Sequence, residues 1–335
     1  MPLTQLNFQP GIDTENTPTG AEGKWVDGDK IRFRKGLPQK IGGWTKFSSE
    51  YYVGVGRALE QWFALDGARY EALGTDRKIY VYQGGDNQDI TPIRSTEALV
   101  NAISTTSSSD IITITDTTHG AIQGDFVTLS SVSTDVGGIP AATLDAEYEI
   151  LSIANVDAYT IQSSATATSS VGPTANCTVT YQLNIGPSEQ TFGYGWGAGA
   201  WSAGTWNTPR TSSNVVLDAR LWSINNWGED LIITQKDGGT YEWDTSGGMT
   251  DNRATVIANA PTNSTLSLVS TETRHVVCMG TETTIGDIAT QDKMFIRWSD
   301  QEDYNQWTPN VTNSAGSQRI AGGSEIRCAR PAKGT

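Results

Sequence analysis

Residues 59–85 read LEQWFALDGARYEALGTDRKIYVYQGG, and this stretch decides the fold class. Apolar and polar residues alternate along it, which is typical of β-strands whose two sides face different environments. The pair Asp66-Gly67 between two such runs is a strong signal for a hairpin turn. We therefore predict three strands, over residues 59–65, 68–73 and 78–82.

The same strand pattern recurs twice further along the chain. Residues 219–248 repeat it closely, with predicted strands over 221–224, 231–234 and 240–243 and a turn near Gly228. Residues 274–301 repeat it with a long loop between predicted strands over 276–279 and 294–298. A lone meander leaves two strand edges and one apolar face exposed, so meanders stabilise one another when they stand side by side. Such repeats indicate a β-propeller with one blade per copy. An open, irregular β-sandwich with similar hairpins is the alternative.

Residues 93–185 separate the first copy from the second and differ from both in composition. They are rich in Ser, Thr, Ala, Val and Ile, and they also alternate in the manner of strands. We predict that they form an inserted small β-sandwich or barrel, because insertions are tolerated where both ends leave a surface turn. The whole chain is therefore expected to be all-β, with β-propeller-like meander blades and this domain inserted.

The net charge of −14 is spread unevenly along the 335 residues. Between Arg94 and Arg210 there is no Lys or Arg, whereas ten Asp and Glu fall in that segment. This segment either has an ordinary solvated acidic surface or uses its charge to avoid binding nucleic acid. The sequence leaves both interpretations open.

A short basic ribbon, residues 30–44 (KIRFRKGLPQKIGGW), contrasts with this acidity. The alternation predicts a strand-turn-strand in which Ile31 and Phe33 face one side, and Arg32 and Arg34 face the other. We expect the cations of the ribbon to decorate one exposed face. The candidate interface residues are Lys30, Arg32, Arg34, Lys35, Lys40 and Trp44.

The sequence offers little catalytic chemistry. It lacks the motifs of zinc proteases, nucleophile elbows, phosphate-binding loops and calcium loops. Its two histidines, His119 and His275, lie at a turn and at a strand entry. Cys177, Cys278 and Cys328 lack the spacing of a metal site, so we expect buried structural thiols. No apolar run is long enough to span a membrane. We expect no enzyme activity, no cofactor and no bound metal.

Residues 193–206 (GYGWGAGAWSAGTW) interleave Gly with Trp but lack the spacing of a dinucleotide-binding loop. Trp196, Trp201 and Trp206 either pack within the protein, contact a partner protein, or stack on sugars.

The acidic loop 298–309 does not match the Asp-box pattern of sialidase propellers. We therefore expect its carboxylates to be solvated.

Four stretches of the chain resemble the tail nozzle proteins of short-tailed bacteriophages, which are also called tail tubular protein B or packaged-DNA stabilisation proteins. The stretches are GIDTENTPTGAEGKWVDGDKIRFRKGLPQKIGGW (11–44), YEALGTDRKIYVYQGGDNQDITPI (70–93), WGAGAWSAGTWNTPR (196–210) with LWSINNWGEDLIITQKDGGTYEWD (221–244), and FIRWSDQEDYNQWTPNVTNSAGSQRI (295–320). The resemblance covers nearly all of the chain outside residues 93–185.

The resemblance implies a structural virion protein on a β-propeller fold. Such proteins form a homohexameric tube below the portal and adaptor rings, retain the packaged genome, and conduct it at ejection. Tail fibres or spikes attach around the tube. We therefore expect a tail component assembled in the host cytoplasm, which contacts passing double-stranded DNA without sequence specificity. A propeller that binds or cleaves host glycans is the alternative function.

In such a tube the basic ribbon is expected at an interface between subunits or rings, where charge complementarity fixes the register. Gripping DNA phosphate or being merely solvated are its other possible roles.

The expected domains are 1–50 for the arm with the ribbon, 51–92 for the first blade region, 93–185 for the acidic inserted domain, and 186–335 for further blade regions. Propellers usually close with four to eight blades, so we expect further blades or neighbouring chains to complete the ring.

Overall fold

A computed structural model describes residues 8–43, 45–46, 48, 50–184, 186 and 219–331. Its strands form five antiparallel sheets, accompanied by one short helix and two 3-10 turns, and the all-β prediction is confirmed. The contacts divide the chain into residues 1–49 and residues 50–335, which are described separately. None of the described helices is long and apolar enough to cross a membrane.

The first unit contains the hairpin predicted for the basic ribbon. It consists of β1 (Ile31–Arg34) and β2 (Leu37–Lys40), joined by the two-residue turn Lys35-Gly36. The backbone φ angles of these two residues are 52° and 81°. Positive values at both positions characterise the type I′ turn, whose twist matches that of a two-stranded hairpin.

The second unit begins with a four-stranded meander, which we call blade 1. It contains β3 (Gly56–Phe63), β4 (Arg69–Thr75), β5 (Ile79–Gln83) and β6 (Asp86–Asp89), paired in that order. The predicted turn at Asp66-Gly67 lies between β3 and β4. The fourth strand was not predicted, because its sequence DNQD has no apolar residue and only its backbone pairing with β5 defines it.

Residues 93–182 form eight strands around one core, which we call the barrel. They are β7 (Ile93–Leu99), β8 (Ile103–Thr105), β9 (Ile111–Thr115), β10 (Phe126–Ser130), β11 (Glu147–Asn155), β12 (Ala158–Gln162), β13 (Val171–Thr174) and β14 (Cys177–Gln182). The helix α1 (Ala141–Leu144) lies between β10 and β11.

The strands of the barrel pair with one another in a closed circle. β7 pairs with β14, and β8 pairs with β13. Between these two pairs, the amide of Ala102 donates to the carbonyl of Ala175 (2.9 Å). β8 also pairs with β9, and β14 also pairs with β10. The remaining pairs connect β9 to β10 through β12 and β11. The closed sheet surrounds an apolar interior in which Ile112, Val127 and Val179 are fully buried.

Two further meanders follow, blade 2 and blade 3. Blade 2 contains β15 (Trp222–Trp227), β16 (Asp230–Gln235), β17 (Thr240–Trp243) and β18 (Thr255–Val256). Blade 3 contains β19 (Leu266–Val269), β20 (Val276–Met279), β21 (Phe295–Trp298) and β22 (Gly316–Arg319). Both have the strand order of blade 1. The predicted strands are present, whereas β18, β19 and β22 are additional.

Blades 1 and 2 pack face to face through aromatic side chains. The rings of Trp62 and Trp243 meet edge to face with centroids 6.3 Å apart, and Tyr70 stacks on Trp62 at 5.2 Å. Both indoles are buried, and each donates its N–H to a backbone carbonyl, that of Glu229 for Trp62 and that of Asn252 for Trp243. Each indole N–H therefore keeps a hydrogen-bond partner although it is buried, and the removal of the ring from water stabilises the packing of the two sheets.

Blade 2 uses its opposite face to pack on blade 3. Trp227 and Ile232 of blade 2 share a buried cluster with Val276 and Cys278 of blade 3. The first strand of blade 2, β15, lies against both β3 and β19. The three sheets are therefore stacked in chain order with their first strands adjacent, which is the predicted β-propeller-like arrangement.

Four charged side chains connect the blades to the barrel. Lys78 is 3% exposed; it donates to Asp89 (2.8 Å) and pairs with Glu147 of β11. Arg253 lies 3.1 Å from Asp89 and 3.7 Å from Glu147. Burial opposes the ionisation of Asp89, but the charges of Lys78 and Arg253 outweigh burial and lower its pKa. We call these four residues the junction network.

We expect Trp243→Ala to lower the free energy of unfolding by about 3–5 kcal/mol, because it removes a fully buried indole and leaves a cavity between two sheets. Urea unfolding followed by circular dichroism measures this loss. The control is Val256→Ala, at a 68% exposed position of the same sheet, which should cost less than about 0.5 kcal/mol. A loss below about 1 kcal/mol in the Trp243 variant would contradict the assigned packing.

The junction network predicts a specific dependence of stability on pH. The pKa of Asp89 is lowered in the folded chain, so its stabilising effect is present above the unfolded pKa of about 4 and is lost as the pH falls through the folded value. We expect Asp89→Asn to cost about 1–3 kcal/mol at pH 7 and less at pH 3, where the pH lies below the unfolded pKa. Urea unfolding at both pH values measures this, with Asp86→Asn, exposed in the same strand, as the control. An equal cost at both pH values would refute the role of the Asp89 charge.

Candidate assembly surfaces

The cations of the basic ribbon lie at the surface, but they do not share one face. Arg32 and Arg34 project from the same side, where the Nε atom of Arg32 donates to Gln39 Oε1 (3.2 Å). Lys40 lies opposite Ile31 and projects from the other side. The expectation of a single cationic face is therefore wrong for Lys40, because the two-residue turn sets the register that pairs positions 31 and 40.

Two further lysines of the ribbon hold unusual backbone conformations. Lys30 and Lys35 have φ angles of 55° and 52°, in the left-handed region that costs a non-glycine residue about 1–2 kcal/mol. Lys30 lies 3.7 Å from Asp29, but both side chains are exposed, so this pair contributes little to stability. Among the described residues, no carboxylate forms an ion pair with Arg32, Arg34, Lys35 or Lys40.

The other side of the ribbon rests on earlier aromatic residues of the same unit. The ring of Trp25 lies 6.5 Å from that of Phe33 and 5.4 Å from that of Phe8. Asp13 accepts a hydrogen bond from Lys24 Nζ (2.8 Å), which lowers the pKa of Asp13 with further help from Asn16. These contacts anchor Phe33, so the two arginines on the opposite side are presented outward.

Blade 1 has a second face, turned away from blade 2, that is largely uncovered. Leu59 and Phe63 on this face are 63% and 59% exposed, and Leu65 just beyond β3 is 93% exposed. The far part of the face is covered, because the amide of Val53 donates to the Tyr80 hydroxyl (3.0 Å) and Tyr80 is buried. Gln61, Glu71 and Arg69 share this face, and the Arg69 guanidinium lies 5.4 Å from the centre of the Phe63 ring. The face is therefore a mixture of uncovered apolar and polar side chains, as protein interfaces are.

Blade 3 also has a face turned away from blade 2. Val276 and Cys278 point into the interface with blade 2, so the alternate residues Val277 and Met279 point away from it. The strand register adds Leu266, Leu268, Ile296 and Trp298 to this outer face. Leu266 is buried, and the other five side chains of the face are partly exposed. Blade 2, by contrast, has both of its faces covered by its neighbours.

The structure describes some of the remaining residues singled out in the sequence but not others. Trp44, Trp196, Trp201 and Trp206 lie outside the described residues. His119 is buried at its turn, where Nδ1 accepts from the amide of Ala121 (3.0 Å). Within the described ranges, no group of three or more His, Cys, Asp or Glu side chains is placed to hold a metal ion.

The acidic loop 298–309 is organised by one carboxylate. Asp300 accepts hydrogen bonds from the hydroxyl (2.7 Å) and the amide (2.8 Å) of Ser314, which lower its pKa. His275 also reaches this serine, with its Nε2 atom 3.0 Å from the Ser314 hydroxyl. These contacts give Asp300 a role in shaping the loop.

The three cysteines differ in accessibility. Burial raises the pKa of Cys177 and of Cys278 to about 11. Cys328 is exposed, so the expectation of three buried thiols is wrong for this residue. It belongs to a segment after β22 in which the flanking residues Arg327 and Arg330 are exposed as well.

Comparisons with known proteins identify no family. No protein-family model matches the chain, and no curated protein sequence matches it significantly. Among solved structures, the chain aligns with an endosialidase of phage phi92 at 11% sequence identity and a TM-score of 0.24. The alignment covers 87% of this chain and 41% of the endosialidase, so the chain spans about two fifths of that protein's length. This likeness is too weak to identify a shared activity, and the resemblance to tail nozzle proteins stays a prediction.

The cysteine environments predict one fast-reacting thiol. Because the thiolate is the nucleophile, burial and a raised pKa both slow a cysteine. We expect one rapid thiol in the native chain at pH 8 and three after denaturation, measured with Ellman's reagent. Cys328→Ser should remove the rapid phase. A second rapid thiol in the native chain would contradict the burial of Cys177 or Cys278.

Proposed function

We propose that the chain is a non-enzymatic structural component of the tail of a short-tailed bacteriophage. In this role several copies form a ring, hexameric by family resemblance, around the path of the genome. One structural observation carries the proposal: the two outer blades each leave a face with apolar side chains uncovered, whereas the middle blade has both faces covered. The four resembling stretches supply the assignment to a phage tail.

The uncovered face of blade 1 and the uncovered face of blade 3 are opposite faces of the meander, which suits assembly from identical copies. Each internal contact joins one face of a blade to the opposite face of the next blade. A row of blades stacked in this way ends with one free face of each kind. Contacts between different patches of identical subunits run head to tail, and they generate closed rings when the rotation permits. Burying such faces stabilises the assembly by about 25 cal/mol per Å² of apolar surface.

The basic ribbon supplies a second contact. Its arginines have no acidic partner among the described residues of their own chain, and the chain as a whole carries a net charge of −14. Acidic surface is therefore abundant on neighbouring copies, above all on the barrel, in which Arg94 is the one Lys or Arg. Opposite charges that meet across an interface fix its register more than they add affinity.

The same charge distribution favours a conduit over a DNA clamp. Contacts of Lys and Arg with phosphate supply essentially all of the nonspecific affinity for DNA. A predominantly acidic protein offers few such contacts, so double-stranded DNA can pass without being held. In this role the ring meets the adaptor on the portal side and carries tail fibres or spikes, and the virion tail is its final location.

The experiment is a measurement of native mass, for the purified chain alone and with the adaptor ring of the same particle. We expect a ring of several copies for the wild type. The double variant Arg32→Glu/Arg34→Glu should shift the population to folded monomers, because like charges then face the acidic neighbour. The matched control Arg32→Lys/Arg34→Lys keeps the charge and should keep the ring.

Two results would overturn the proposal. One is a wild-type chain that stays monomeric under both conditions, above all one that depolymerises host polysaccharide, which would favour the glycan-directed alternative. The other is a ring that is unaffected by charge reversal in a variant whose circular dichroism matches the wild type, which would remove the ribbon from the interface.

A further inference from the structure

A cavity of about 510 Å³ lies where the first strands of the three blades meet. Its walls come from β3, β15 and β19, and residues 327–331 form a further wall. Sites for small molecules usually have volumes of about 300–1,000 Å³ and form between structural units. The cavity is thus of suitable size and lies at the meeting point of three sheets.

The lining of this cavity is positively charged in an otherwise acidic protein. Four cations contribute to it, namely Arg57, Lys236, Arg327 and Arg330. Glu60 is the one carboxylate among the described lining residues, and burial raises its pKa. Glu325, outside the lining, pairs with Arg327 at 2.7 Å. A guanidinium has five N–H donors, so an arginine can contact more than one acceptor at a time.

A neutral wall residue lies beside these cations. Ser267 lines the cavity and is 5% exposed, and its hydroxyl oxygen is buried without a hydrogen-bond partner within the described part of the chain. Because this oxygen has no accessible surface, Ser267 contributes to the shape of the wall and offers no hydroxyl to a ligand. The Nδ2 atom of Asn225, a neighbouring wall residue, donates to the Ser267 carbonyl (3.1 Å) and so fixes the position of this strand.

We propose that this cavity binds a small organic oxyanion, in which a phosphate or carboxylate group is carried on a body of sugar or nucleoside size. Arginine forks bind both groups in a bidentate manner, which makes them the preferred partners of planar and tetrahedral oxyanions. The volume exceeds what an inorganic ion fills, and apolar wall residues such as Leu221, Leu266 and Leu268 can contact the body of the ligand.

The exposed thiol of Cys328 lies in the cavity lining and reports on occupancy directly. The rate of its alkylation by uncharged iodoacetamide is measured by intact mass, with adenosine 5′-monophosphate and glucuronate as probes and adenosine as the uncharged control. We expect at least one anion to slow alkylation by about threefold or more at about 10 mM, and adenosine to have no effect. Protection by the first probe alone indicates a phosphate ligand, and protection by glucuronate indicates a carboxylate.

Variants separate the charge of the cavity from its shape. Arg57→Gln/Lys236→Gln should weaken protection by about tenfold in Kd, whereas Arg57→Lys/Lys236→Arg should keep it within about threefold. Arg69→Gln, an exposed cation on β4 that does not line the cavity, is the matched control and should behave as the wild type. The charge-conserving variant keeps the test decisive if the neutral one fails to fold.

Three outcomes overturn this proposal: neither anion protects Cys328, adenosine protects it as well as the anions do, or the folded neutral variant binds as the wild type does. The readout is a property of a single chain. Its failure therefore leaves the tail assignment untouched, and a monomeric chain leaves this site intact.

Discussion

The contact of Trp62 and Tyr70 with Trp243 holds the blades together, and most of the structure depends on it. A four-stranded meander removes its apolar face from water only when a second sheet packs against it, and that burial is the main source of its stability. The contact is reinforced at the end of β4, where the Trp222 ring lies so close to Gly74 that a Cβ on this glycine would stand 2.7 Å from it. The Trp222 N–H donates to the Thr75 carbonyl (2.6 Å), which fixes the approach of the two sheets.

Charge is handled in two different ways in this protein. The buried cation Lys78 meets two carboxylates, those of Asp89 and Glu147, since an unpaired charge in that position would cost several kcal/mol. On the exposed basic ribbon, by contrast, Arg32 and Arg34 form no ion pair with a carboxylate among the described residues. The first arrangement holds the barrel on blade 1. The second leaves the charge of the ribbon available to other molecules, as the proposed assembly requires.

Much of the fold was predictable from the chain because hairpin chemistry and alternation are local signals. The pair Asp66-Gly67, the second-copy turn near Gly228 and the strand 276–279 were all placed correctly for this reason. The polar strand β6 was missed because only backbone pairing makes it a strand. The side from which Lys40 projects and the exposure of Cys328 were missed because they depend on register and tertiary packing. The cavity could not be predicted at all, since Arg57, Lys236 and Arg330 are distant in sequence and meet only through the stacking of the blades.

The central claim is that uncovered blade faces and an outward-facing basic ribbon arrange identical chains around an axis. Electron microscopy of the purified assembly tests this most directly. We expect closed rings with an open axial channel wide enough for double-stranded DNA, in which the outer faces of blades 1 and 3 are buried against protein. Isolated single chains with both faces in contact with solvent, or a filled assembly without a channel, would contradict it.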